Sequence, residues 1–133
     1  MATPKARREL PSIIEFITDP QLLGLSLSPA QRTLHKASRG LPLTVEEHDL
    51  WVRCTGRATY PACFYGDLVV LAGARAGKDS RILCPDMAYE AVFGAPTLAK
   101  GERGLIPLVA QDQRATKIAF GYLRDYFTRS PLL

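Results

Sequence analysis

The sequence predicts an α/β fold, with parallel strands flanked by helices and a helical segment ahead of them. Three observations predict it. Leu68 to Ala72 is a near-continuous apolar run of strand length, the pattern of a parallel strand covered on both faces. Directly after it, Gly73 to Ser80 passes through a Gly-containing turn into a helix start. Leu105 to Ala110 supplies a second short apolar run ahead of a strongly periodic last helix.

Met1 to Pro11 is basic and Pro-containing and reads as a disordered lead, leaving 12–133 as one domain. Ser12 to Thr18 reads as a short amphipathic helix with Ile13, Ile14, Phe16 and Ile17 on its apolar side, stopped by Asp19-Pro20. Ser28 as N-cap, Pro29 at the first helical position and Gln31 three after the cap start a helix that runs to about Arg39 and ends at Gly40. Thr44 and Glu47 repeat the capping-box pattern, so a third helix runs through Leu50 and Trp51 toward Thr55-Gly56.

Gly56 to Gly66, rich in Gly, Pro and aromatic residues, is a connection, and the strand Leu68 to Ala72 follows it. The next helix runs from Gly77 to about Phe93, kinked at Pro85, which lacks a backbone donor. Gly94 to Gly104 is a loop, and Pro107 places the strand Leu105 to Ala110 at an edge or irregular position. In the last helix, capped by Asp112, the residues Ala115, Ile118, Ala119, Tyr122, Leu123, Tyr126 and Phe127 make one apolar stripe. Tyr122 and Tyr126 are therefore packing residues.

A chain of 133 residues, 47% hydrophobic and 23% charged, can bury a core of its own. No apolar run approaches the roughly 18 residues that span a bilayer, and the N-terminus leads into no secretory h-region, so a cytoplasmic, non-membrane protein is expected. Cys54, Cys63 and Cys84 lack metal-site spacing and read as reduced and structural. His35 and His48 have no converging ligand partners and read as partly exposed helical side chains. The net charge of +4 is spread without dense runs, which favours solvated faces over a dedicated nucleic-acid arm.

The segment with chemistry in it is Ala72-Gly73-Ala74-Arg75-Ala76-Gly77-Lys78-Asp79-Ser80. Small residues let a backbone curl and aim successive N–H groups at phosphate oxygens, a Lys reaches the outer phosphates, and a helix N-terminus favours the anion. This is the layout of a phosphate-binding P-loop, and the fold it implies is a partial P-loop NTPase-like one. Against G-x-x-x-x-G-K-[ST], Ala72 takes the first Gly position and Asp79 the hydroxyl position that ligands Mg²⁺. Asp79 can hold Mg²⁺ through oxygen but repels polyphosphate, and Ser80 offers the hydroxyl one residue late.

Four blocks in order extend the likeness. Leu27-Ser28-Pro29-Ala30-Gln31-Arg32, Thr55-Gly56-Arg57, the loop from Ala72 to Lys78, and Val109-Ala110-Gln111-Asp112-Gln113-Arg114-Ala115 together resemble the N-terminal ATPase region of tailed-phage terminase large subunits. The resemblance implies an ATP-binding part of a DNA-packaging motor, with ATP and Mg²⁺ as cofactors. It also implies double-stranded DNA, the portal, the small terminase subunit and further copies of the chain as partners, in the cytoplasm of the host cell. By the same resemblance Gln31 reads adenine, although Gln31 equally fits a capping-box role. Phe64 and Tyr65 either stack on the base or line the core. Many members carry an Arg three residues before the second P-loop Gly; that position is Ala74, so its neighbour Arg75 either takes the role of cis arginine or the role is empty.

Hydrolysis of this type also needs an acidic strand end for Mg²⁺ and a Glu that orients water, and no candidate for either lies between the loop and Leu133. The nuclease carboxylates of the family have no counterpart either. The chain thus reads as a fragment or truncated product that binds ATP without hydrolysing it alone. From other classes, the sequence also admits a non-catalytic remnant or interaction module that joins an oligomeric partner and, less well supported, a small basic DNA-binding protein.

Overall fold

Ser12 opens the first helix by reciprocal capping. Its hydroxyl accepts from Glu15 N at 3.3 Å while the Glu15 carboxylate accepts from Ser12 N at 2.7 Å. The structure, a computed structural model, describes residues 10–60, 67–94 and 98–133. Helix α1 spans Ile13–Thr18, α2 Pro29–Ser38 and α3 Val45–Thr55, each behind such a capping box. Gly56, with φ +69°, ends α3 in the left-handed conformation that glycine adopts without strain. Lys36 Nζ reaches Glu47 Oε2 at 2.7 Å and ties α2 to α3.

Downstream, a π-helical segment Lys78–Leu83 runs directly into α4, Cys84–Phe93, and α5 covers Gln113–Arg129 behind an Asp112 cap. The core joins α1, α4 and α5: Ile13, Phe16 and Ile17 pack with Cys84 and Ala88, and with Ala119 and Tyr126. Phe16 meets Tyr89 and Phe93 edge-on at 5.4 and 5.6 Å between ring centroids, contacts worth about 0.5–1.5 kcal/mol each beyond burial. Beside this core, Arg39 pairs with Asp86 at 3.2 Å and with Glu90, and its guanidinium lies 5.2 Å from the Tyr89 ring centre. Burial disfavours the Arg39 charge, but the two carboxylates outweigh it and hold its pKa above the ordinary value.

The expected α/β fold is corrected: the described residues form an all-helical structure with no strand and no sheet. Leu68 to Ala72 and Leu105 to Ala110, the two expected strands, have no sheet partner among the described residues. Val69 is 86% exposed, Leu71 97%, Leu105 87% and Val109 89%, so neither run contributes these side chains to the core. An apolar run favours an extended chain, but a strand exists only when a second segment takes its N–H and C=O groups. A parallel P-loop sheet is therefore not what the described chain builds.

Pro85, expected to kink a helix by its missing N–H, stands at a change of register. The Cys84 N–H donates to Asp79 O, five residues back, and α-helical geometry resumes from Cys84. The periodic stripe of α5 is only partly covered: Ala119 and Tyr126 are buried, while Ile118 is 53% and Phe127 40% exposed. Tyr122 lies at the surface, so of the two tyrosines assigned to packing only Tyr126 sits in the core.

Candidate phosphate-binding loop

The backbone between Gly73 and Lys78 turns back on itself. Ala76 N donates to Gly73 O at 3.3 Å, Arg75 lies at φ +62° and Gly77 at φ +73°. A left-handed conformation is uncommon at a non-glycine residue, so the turn holds Arg75 in a sparsely populated state. Ala72 keeps a negative φ, so the alanine at the first Gly position of the motif is no obstacle here. Gly77 is favoured by more than its φ, since a Cβ there would sit 3.0 Å from Gln31 Nε2 and 3.2 Å from Arg81 Cγ and both side chains would have to shift.

At the start of the π segment, the N–H groups of Gly77, Lys78, Asp79 and Ser80 find no acceptor among the described residues, and the first helical donor is Arg81 N, to Gly77 O at 2.8 Å. Lys78 Nζ is held by the Asp79 carboxylate, at 2.8 and 2.9 Å from its two oxygens, with the Lys78 side chain 64% exposed. An exposed ion pair of this kind is worth about 0–1 kcal/mol, so it yields readily to a stronger anion. These groups fit a polyphosphate: free backbone donors, Lys78, and Arg75 on the exposed turn. Mg²⁺ takes one or two protein oxygens when phosphates supply others, and Asp79 with Ser80 offers that number. Among the described residues no group of three or more His, Cys, Asp or Glu side chains gathers as a metal site.

The structure brings Gln31 to this loop. Its Oε1 accepts from Ser28 N at 3.0 Å, completing the capping box, and its Nε2 donates to Ala76 O at 2.8 Å. Both ends of the amide are thus engaged, and reading a base edge would require them to change partners. Phe64, Tyr65 and Cys63 lie outside the described residues.

Sequence reasoning missed the supports behind the loop. Pro85 cannot donate to Arg81 O in an α register or to Ser80 O in a π register, and Cys84 N is committed to Asp79 O. Side chains fill the gap: His35 Nε2 hydrogen-bonds Arg81 O at 2.8 Å, and the Tyr126 hydroxyl donates to Ser80 O at 2.5 Å. Because a carbonyl only accepts, Nε2 carries the hydrogen. His35 is fully buried, not partly exposed as its helical setting suggested, and its Nδ1 stands 3.6 Å from Asp86 Oδ1. The signal that pointed to it was Pro85, since a proline in a helix leaves a carbonyl in need of another donor.

Two nearby groups are set away from reactivity. Burial, reinforced by the Asp79 charge, pushes the Cys84 thiol up to about 11, and its Sγ donates to Ala119 O at 3.4 Å. Burial likewise raises the Tyr126 phenol, which keeps its proton as a donor. A groove of about 580 Å³ lies between α2, α3 and the chain entering the loop, lined by Trp51, Arg57, Asp67 and Leu68 among others. Among the described residues no helix is long and apolar enough to cross a membrane. Comparison of the chain with protein-family models, curated proteins and solved structures returns no match.

Proposed function

We propose that the chain binds the polyphosphate of a nucleotide, ATP with Mg²⁺, through the loop Gly73–Ser80, with Lys78 and Arg75 as cationic contacts. The observation that carries this reading is the helix start at Gly77 to Ser80, where four N–H groups without acceptors among the described residues stand beside the exposed Lys78. Asp79 or Ser80 would lie near Mg²⁺. The sequence offers no acidic strand end for Mg²⁺ and no Glu to orient water, so the proposal is binding and not hydrolysis. The resemblance to terminase large subunits extends the proposal to a part in a DNA-packaging motor, with double-stranded DNA and the portal as partners of the motor.

Calorimetric titration with Mg·ATP, alongside Lys78→Ala, tests the reading. Saturable binding lost in the variant is expected; a folded chain that takes up no nucleotide would overturn it. A second reading is favoured by a different observation, the exposure of Val69, Leu71, Leu105 and Val109 on two apolar runs outside any helix. Such runs suit a non-catalytic interaction module that associates with an oligomeric partner. Its mark is self-association or complex formation that does not depend on Lys78.

A further inference from the structure

We infer that Gln31 is a positioning residue that, with His35, mounts the phosphate loop on α2. The inference rests on the polyphosphate reading above and names the device that would preorganise that site. Gln31 and His35 are four residues apart and so lie on one face of α2. Gln31 Nε2 donates to Ala76 O and His35 Nε2 to Arg81 O, both at 2.8 Å. These carbonyls bracket the N–H groups offered to the anion, and Tyr126 holds Ser80 O between them. All three supports act on carbonyl oxygens, so none of them competes with a ligand for an N–H donor.

The Gln31 contact also comes with a close approach to the loop backbone. A Cβ on Gly77 would meet Gln31 Nε2 at 3.0 Å, and Gly77 and Arg75 on either side of Ala76 both have positive φ. Fixing Ala76 O therefore fixes the turn that aims the following N–H groups. A loop held in its binding geometry before the ligand arrives loses less entropy on binding than one that must order first. Gln31 can do this because its two amide ends face opposite ways: Oε1 anchors it to the cap of α2 and Nε2 reaches the loop. A merely structural capping residue would need only the Oε1 bond.

Two substitutions separate the roles. Gln31→Glu keeps an acceptor for Ser28 N, and Glu is itself a capping-box residue, but it removes the donor to Ala76 O. Ser28→Ala weakens the cap and leaves that donor in place. Tripolyphosphate is the probe, because it carries the anion without a base.

Gln31→Glu is expected to weaken tripolyphosphate binding by about tenfold, and Ser28→Ala by much less. Part of the Glu effect is charge repulsion, which salt screens; the loss that persists at high salt reports the mount. Amide hydrogen exchange on the ligand-free chain reads the mount without any ligand. Faster exchange at Ala76 and Arg81, the hydrogen-bonded amides of the turn, in Gln31→Glu and no change there in Ser28→Ala is expected. Equal exchange in wild type and Gln31→Glu would overturn the inference. If wild type binds no tripolyphosphate while the exchange pattern holds, the polyphosphate reading fails and the mount stands as a structural fact.

Discussion

His35 donates from its buried Nε2 to the carbonyl of Arg81 at 2.8 Å, the oxygen that Pro85 would have served had it carried an N–H. A defect in one helix is thus repaired by a side chain from another. This predicts coupling between positions that are distant in sequence. His35→Ala is expected to destabilise the chain by about 2–4 kcal/mol, since it empties a buried site and orphans a carbonyl. In a Pro85→Ala background the backbone supplies its own donor, and the cost of His35→Ala should fall by about 1 kcal/mol or more. A double-mutant cycle in urea checks it, and strict additivity would refute the repair.

Tyr126 makes the companion bond to Ser80 O, and its substitution separates hydroxyl from ring. Tyr126→Phe keeps the packing in the core and leaves Ser80 O without its donor, a loss of about 1–3 kcal/mol. Alkaline pH should produce a related loss. Burial raises the pKa of Tyr126 and lifts Cys84 from 9.0 to about 11, so the folded state holds both protons more tightly than the unfolded chain does. Their contribution is full below the unfolded values and is lost as pH rises through the folded ones. Stability measured from pH 8 upward should therefore start to fall near the ordinary Cys value of 9.0, and less steeply in Cys84→Ala.

Gly77 combines a left-handed φ of +73° with a close approach to Gln31, so Gly77→Ala meets both strain and contact. The left-handed conformation costs a residue with a Cβ about 1–2 kcal/mol, and the new methyl displaces the Gln31 amide from Ala76 O. Hydrogen exchange at the loop should accelerate while α1 and α3 stay as protected as in wild type. Gly73, with a negative φ and open space around its Cα, should accept Ala without penalty.

What the sequence disclosed and what it hid divide by range. Ser28 with Gln31 and Thr44 with Glu47 announced their helices because a capping box is complete within one turn. Leu68 to Ala72 and Leu105 to Ala110 were legible as apolar runs but wrongly read as strands, because pairing depends on a second segment brought alongside. Gln31 shows both halves in one side chain: its bond to Ser28 is local and was readable, whereas its bond to Ala76 spans 45 residues and was not. His35 stayed hidden for the same reason, since what it satisfies lies 46 residues away. Lys78 was legible as the opening of a helix, yet nothing local told that it would turn to Asp79.

That ion pair yields a prediction on the candidate site itself. Asp79→Ser removes a carboxylate that both occupies Lys78 Nζ at 2.8 Å and repels an incoming anion, and it places a hydroxyl where the P-loop pattern has one. Tripolyphosphate binding should tighten, by up to about fivefold from release of the exposed pair alone. The gain should shrink as salt rises, because exposed charges are screened. Unchanged affinity at low salt would mean that Lys78 does not meet the phosphates.

The exposed apolar runs allow a test that leaves the loop untouched. Leu71 is 97% exposed and Val69 86%, and both stand on a run without sheet partners among the described residues, an apolar run open to pairing with another chain. A lysine there removes no buried contact, so Leu71→Lys should change folding stability by less than about 0.5 kcal/mol. If the run mediates association, light scattering should show larger species in wild type as concentration rises and a shift toward monomer in Leu71→Lys. The same comparison with Leu105→Lys asks whether the second run acts with the first. Loss of association in either variant alone would mean that both runs belong to one contact, whereas an effect confined to Leu71→Lys would assign the contact to the run that leads into the loop. Since Leu71 stands two residues before Gly73, association through that run would also immobilise the entry to the loop. Tripolyphosphate affinity that rises with protein concentration in wild type, but not in Leu71→Lys, is the outcome that would connect the two.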